Sequence, residues 1–249
     1  MRVTLLGTGM LVPEAGRGSA AFLVEGAGCV LPMDLGRGAL TRMVEAGVNP
    51  LELDRFFLTH LHADHTSELV SLLFALRHGR SGQGAVELVG PSGLAALVER
   101  ISEAWPSTTP DYRLSIRETD GGVVSEEGLR VTAGPVHHGD HAALGYRVEE
   151  TATRRVCAFT GDSGPGHRLE ELVDGADLLV AECGDGLTPG RGRHLDVKSL
   201  AELVEAARIG RVAVTHIDPR HGRTAVLARL RELLGDRLLE GEDGLRIAV

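Results

Sequence analysis

The spacing of apolar residues changes several times along the chain, and each change marks an element. Residues 2–6 form a short strand that stops at Gly7-Thr8-Gly9. Residues 20–25 and 29–33 read as a hairpin turning at Gly26-Ala27-Gly28. Residues 38–46 read as a short helix stopped by Gly47. Residues 54–58 read as a buried strand, and residues 66–78 as a helix with Leu69, Leu72, Leu73 and Leu76 on one face. A strand at 86–89 and a helix at 92–104 follow, then strands at 112–118, 129–137, 144–149 and 155–160. Helices return at 168–173 and 197–209, beside strands at 178–182 and 212–215. A last amphipathic helix spans 224–234, and 245–249 reads as a closing strand. No linker, low-complexity tract or simple repeat interrupts this order. Residues 1–249 therefore read as one mixed α/β domain with a sizeable core.

Charge narrows the class of partner. The net charge is −9 and only 3% of residues are aromatic. That disfavours broad nucleic-acid binding and leaves no stacking platform for single strands. Lys198 is the only lysine, so positive charge is almost wholly arginine, the side chain suited to bidentate anion contacts. Cys29, Cys157 and Cys183 are scattered and odd in number, so no disulfide framework is expected. The N-terminus runs straight into a strand, unlike a signal peptide, and no apolar run reaches membrane length. A cytoplasmic protein is expected, with no membrane partner; a homodimer is compatible with this reading.

The candidate chemistry lies between the strand at 54–58 and the helix that follows it. There the chain reads Thr59-His60-Leu61-His62-Ala63-Asp64-His65. A lone histidine in such a place is ordinarily a structural or surface residue, but this density points to a metal. His60 and His62 face the same way if strand geometry persists, and Asp64 and His65 turn in where the helix starts. Imidazole and carboxylate together suit zinc, iron or manganese.

Later segments supply partners. His137 and His138 end a strand, where adjacent side chains point to opposite faces, so one of them is expected inward. Asp162 ends an apolar strand at Thr160-Gly161-Asp162-Ser163, as either a helix cap or a ligand. His216 ends another buried strand in the same Thr-His manner as His60. Glu182 closes a strand, and His194 follows a Gly- and Arg-rich loop. Asp34 reads as a cap or as an acceptor behind a ligand rather than a ligand itself.

T-H-x-H-x-D-H resembles the signature of the metallo-β-lactamase superfamily, whose members are mostly two-metal hydrolases. The opening from Leu5 to Pro13, L-L-G-T-G-x-x-x-P, resembles that of its ribonuclease Z-like members. The resemblance implies a four-layer α/β/β/α sandwich. It implies two divalent ions, zinc first, with manganese or iron as alternatives. One ion would take His60, His62, His138 and Asp162; the other would take Asp64, His65, Asp162 and His216. Asp162, in a T-G-D-[ST] match, would bridge them. The element Gly145-Tyr146-Arg147 favours His138 over His137, with His141 the next alternative. His62 separates the chain from flavo-di-iron oxidoreductases, which carry Glu there. Asp162 separates it from the commonest zinc β-lactamases, which have Cys at the corresponding position.

The same resemblance gives Asp64 a part in orienting the nucleophile. It places Glu182 and His194 near the scissile phosphate, with His194 as proton donor. The local matches are partial: Ala181-Glu182-Cys183 stands for H-E-A, His194-Leu195-Asp196 for H-S-T, and Asp218 replaces the Ser of T-H-x-S-x-R. Arg147 and Arg220 are candidates for holding a substrate anion. Ribonuclease Z itself carries a Gly- and Pro-rich tRNA-gripping arm after the G-Y-R element; here only a short hairpin separates Arg147 from Asp162. The expected activity is therefore hydrolysis of a small phosphodiester, cyclic ones included, or of another small ester. The alternatives are a ribonuclease Z-like RNA endonuclease, an iron-dependent sulfur oxidoreductase, and a non-catalytic metal or metabolite carrier.

Overall fold

The computed structural model describes residues 1–80 and 84–249. Two seven-stranded sheets face each other. The first holds β1 (Arg2–Gly7), β2 (Ala21–Gly26), β3 (Cys29–Met33), β4 (Arg55–Phe57), β5 (Val86–Gly90), β6 (Leu114–Glu118) and β14 (Arg246–Ala248), in the order β14-β1-β2-β3-β4-β5-β6. The second holds β7 (Gly122–Ser125), β8 (Leu129–Pro135), β9 (Leu144–Glu150), β10 (Val156–Phe159), β11 (Leu178–Glu182), β12 (Arg211–Thr215) and β13 (Leu238–Glu240), in the order β13-β12-β11-β10-β9-β8-β7. Strands β3 to β6 run parallel, as do β10 to β13. The helices cross over between these parallel strands.

Three apolar layers follow from alternation along the strands. Val3, Leu5, Phe22, Val24, Phe57, Val131, Tyr146, Val148 and Phe159 meet between the sheets. On the outer side of the first sheet lie α1 (Ala39–Glu45), α3 (Leu69–Gly79) and α4 (Leu94–Ala104). On the outer side of the second lie α5 (His167–Val173), α6 (Val197–Ala206) and α7 (Arg223–Leu234). The four expected leucines of α3 are all buried. Each such side chain removed from water contributes roughly 1.5–3 kcal/mol. This is the expected α/β/β/α sandwich. Among the described residues no helix is long and apolar enough to cross a membrane.

Local chemistry explains the turns that matter. Ala27 and Gly28 both have positive φ, as a two-residue hairpin turn between β2 and β3 requires. The helix expected over 66–78 is instead two pieces, α2 (Ala63–Thr66) and α3. The break has a cause: the Glu68 N–H donates to Leu35 O at 2.9 Å rather than to its own helix. The Leu35 N–H in turn donates to His65 O at 2.8 Å, so α2 is tied to the loop after β3. Two strands, β7 and β13, were not expected, and Tyr112 and Arg113 precede β6 rather than belonging to it. Ligand candidates gather where the parallel strands end, beyond β4, β10 and β12, the usual place for a site in parallel sheets.

Candidate metal centre

His60, His62, His138 and Asp162 offer ligand atoms that all lie within 4.8 Å of one another. His60 Nε2 is 3.1 Å and His138 Nε2 3.3 Å from His62 Nδ1. Asp162 Oδ2 faces this group, 3.7 Å from His60 Nε2 and 3.9 Å from His138 Nε2. Asp64, His65 and His216 form a second group. Asp162 Oδ1 faces that one, 3.2 Å from His65 Nε2 and 3.4 Å from His216 Nε2. Asp64 Oδ2 is 3.4 Å from His216 Nε2. One carboxylate is thus divided between two clusters.

Three of the ring nitrogens turned away from this centre are held by the protein, whereas His216 Nδ1 is buried without a partner. His65 Nδ1 donates to Asp34 Oδ2 at 2.8 Å, and His138 Nδ1 donates to Arg193 O at 3.0 Å. His60 Nδ1 lies 3.1 Å from Thr59 Oγ1, whose hydroxyl donates to Asp34. Each bond places the proton on Nδ1 and leaves Nε2 with a lone pair for a metal. Sequence reasoning had not singled out Thr59; the signal was the repeated Thr-His at Thr59-His60 and Thr215-His216.

Electrostatics differs between the two clusters, lowering the histidines of the first and raising those of the second, which sit beside carboxylates. Burial, reinforced by His65, pushes His60 down to about 2, and burial likewise lowers His62 and His138. Neutral imidazole is the ligating form. Burial alone would raise Asp162, but His216 and His65 hold it well below the usual carboxylate range. Burial opposes the charge on Asp64 too, yet the bond from His216 brings it down to about 2. His65 and His216 are raised, because Asp162 outweighs their burial with help from Asp34 and Asp64 respectively. His65 Nε2 and Asp162 Oδ1 are buried and lack a hydrogen-bond partner. Such orphaned atoms are costly unless something else satisfies them. A divalent cation fits this donor set.

The remaining candidates separate clearly. His138 is buried, whereas His137 and His141 are exposed. His141 stands at the rim, its ring centroid 4.3 Å from that of His62. His194 lies beside the centre and shares a 4.8 Å cluster with Asp162 and His216. Its Nδ1 donates to Glu182 Oε1 at 3.0 Å. Glu182 also accepts from the Ser163, Gly184 and Leu195 N–H groups. Burial would lower His194, but the bond to Glu182 raises it to about 9. Behind it, Asp196 and Ser199 form a capping box that fixes the start of α6.

Two expectations are corrected. Arg147 is not in the site. It alternates with Tyr146 and Val148, which fill the space between the sheets, so it points to the outer face. There its guanidinium donates to Leu172 O and Asp174 O at the end of α5. Arg220 is neutralised by its own neighbour: Nε donates to Asp218 Oδ1 at 2.9 Å and Oδ2 at 2.8 Å. Asp218, in the place of the expected Ser, therefore removes Arg220 as a free cation.

Known proteins give this arrangement a class. Residues 37–217 match the family model described as Beta-lactamase superfamily domain, and the chain belongs to that family as a hydrolase of the metallo-β-lactamase fold. It is similar to Ribonuclease Z of Mycolicibacterium gilvum, 30% identical over all of this chain and 96% of the relative. That alignment runs over 278 positions against 249 residues here, so the relative carries insertions. Among solved structures, the metallo-beta-lactamase fold protein YhfI from Bacillus subtilis superposes with a TM-score of 0.85 over 99% of both chains at 17% identity. The short form of human tRNase Z superposes with 0.79 over 100% of this chain and 99% of its own, at 23% identity.

Proposed function

We propose that the enzyme is a two-metal phosphodiesterase whose substrate is a small phosphodiester, cyclic ones included. The observation that carries this reading is the division of Asp162 between two clusters. His60, His62 and His138 would hold one ion with Asp162 Oδ2; Asp64, His65 and His216 would hold the other with Oδ1. When bound, two divalent ions, zinc first, would supply a nucleophile at neutral pH and neutralise negative charge on the oxygens of the attacked phosphate. His194 donates a proton to the departing oxygen while Glu182 holds its Nδ1–H. Asp64 completes its cluster and orients the nucleophile.

The size of the substrate is argued from the loop between β9 and β10. It is a tight turn through residues 151–155, closed by the Arg154 N–H to Glu150 O at 2.8 Å. An RNA-gripping arm has no place there. The test is metal analysis with turnover of bis(p-nitrophenyl) phosphate. Two metals per chain at saturation with diester turnover is the expected result; fewer than two metals overturns the two-metal form. The identity with Ribonuclease Z favours a second reading, an RNA endonuclease, and cleavage of a precursor tRNA in the same assay would select it. A mononuclear sulfur oxidoreductase would leave Asp64 and His216 without a task.

A further inference from the structure

With Arg147 turned outward and Arg220 neutralised, no assigned residue answers the negative charge of the substrate. The polypeptide itself carries −9, so apart from the ions the centre would hold, an approaching anion meets a repulsive field that a local side-chain cation would offset. Arg193 stands in the right place. Its carbonyl oxygen accepts from His138 Nδ1 at 3.0 Å, and the next residue in the chain is His194. The rings of His138 and His194 have centroids only 4.9 Å apart, so the segment borders the centre directly.

Two glycines shape the seat of this segment. Gly164 lies against the backbone of Gly192 and Arg193; a Cβ there would overlap the Gly192 carbonyl oxygen. Gly139, at φ +63°, lies under the guanidinium. A Cβ on Gly139 would sit 2.8 Å from Arg193 Nε and 3.2 Å from Cδ and Cζ. The side chain is therefore laid across the turn that carries His138. Two other arginines are committed, Arg223 to Glu14 and Arg17 to Thr8 and Gly241. Among the described residues, the Arg193 guanidinium has no hydrogen-bond or ion-pair partner, and the residue is exposed.

We propose that Arg193 binds the non-bridging oxygens of the substrate's phosphate and selects for an anionic ester. The inference rests on the phosphodiesterase reading above. A guanidinium offers two parallel N–H groups that match two oxygens of one phosphate, which an ammonium does not. The contact is made equally in the ground and transition states, so its loss appears in KM rather than in kcat.

The test uses zinc-loaded wild type, Arg193→Ala, Arg193→Lys and Arg191→Ala. Kinetics on bis(p-nitrophenyl) phosphate are combined with calorimetric titration of inorganic phosphate and with zinc analysis. For Arg193→Ala the expected result is a KM raised about 10–100-fold, kcat within a few-fold, phosphate affinity lowered to match and zinc content unchanged. Arg193→Lys recovers part of the loss, and Arg191→Ala, on the same loop, changes little. An unchanged KM and phosphate affinity in Arg193→Ala overturns the assignment, as does an equal effect from Arg191→Ala. Zinc loss in both Arg193 variants makes the residue structural and also overturns it. If wild type holds two zinc ions yet turns over no diester, the phosphodiesterase reading fails. Phosphate titration still decides for or against Arg193.

Discussion

Asp34 Oδ2 lies 2.8 Å from His65 Nδ1, and its other oxygen accepts the Thr59 N–H at 2.8 Å. One buried carboxylate thus fixes a ring in one cluster and, through Thr59, the chain entering the other. Asp34→Asn offers an amide donor to Nδ1 and favours the tautomer with the proton on Nε2, where the metal belongs. Metal affinity should fall about 10–100-fold, as measured by competition with a chelator. Unchanged affinity would show that the Asp34 bond does not set the ring.

Removing the metals should expose the cost of the orphaned atoms on His65 and Asp162. An ion that binds only the folded state at 1,000 times its Kd adds about 4 kcal/mol. For a chain of this size that raises Tm by roughly 8–16 °C between chelated and zinc-saturated protein. Scanning calorimetry at graded zinc concentrations checks it; a Tm independent of zinc contradicts the ligand assignment.

If His194 protonates the leaving oxygen, His194→Ala should slow an alkyl phosphodiester by about 10²–10⁴-fold. A p-nitrophenyl ester should suffer much less, because its anion leaves without help. Glu182→Gln should give a milder version of the same pattern. Equal losses on both substrates would point to positioning; a fall in metal content would place His194 among the ligands, in the cluster it shares with Asp162 and His216.

The pH response of the metal-free protein follows from the same pair. His194 is raised from 6.5 to about 9, burial being outweighed by Glu182. A raised folded pKa contributes stability that is full below the unfolded value and lost as pH rises through the folded one. The stability gap between wild type and His194→Ala should therefore narrow as pH climbs from about 6.5 through about 9. NMR titration of the His194 ring should give the high value, and Glu182→Gln should bring it down.

Gly164→Ala tests how the His194 loop is seated. The added methyl overlaps the Gly192 carbonyl, so the loop must move. A destabilisation of about 1–3 kcal/mol in chemical denaturation is expected, with a loss on alkyl diesters like that of His194→Ala. Stability and activity both unchanged would mean that the loop yields freely.

The inner half of this architecture was legible in the chain because its residues have few alternatives. T-H-x-H-x-D-H, T-G-D and the second T-H sit at the ends of apolar strands, and strand ends are where the pattern is sharpest. His138 over His137 was legible only through the G-Y-R register, since strand β8 stops at Pro135 and alternation no longer applies beyond it. Arg147 was misread because a motif position does not say which face of a strand a side chain takes. Its neighbours Tyr146 and Val148 could have indicated the outer face. Strand β7 has a single fully buried side chain, Val124, and β13 none, so neither leaves an apolar signature. The role of Arg193 depends on two glycines distant in sequence, Gly139 and Gly164, and no local pattern announces it.

The two clusters also join two lengths of polypeptide. His60, His62, Asp64 and His65 follow β4 of the first sheet, while His138, Asp162 and His216 follow strands of the second. Neither length alone owns a complete set of donors. Occupancy therefore reports whether the halves have docked in register, and the ions would act as a rivet through the seam. A chain cut in the connection at Thr119-Asp120-Gly121 would regain tight metal binding only when its two fragments reassemble.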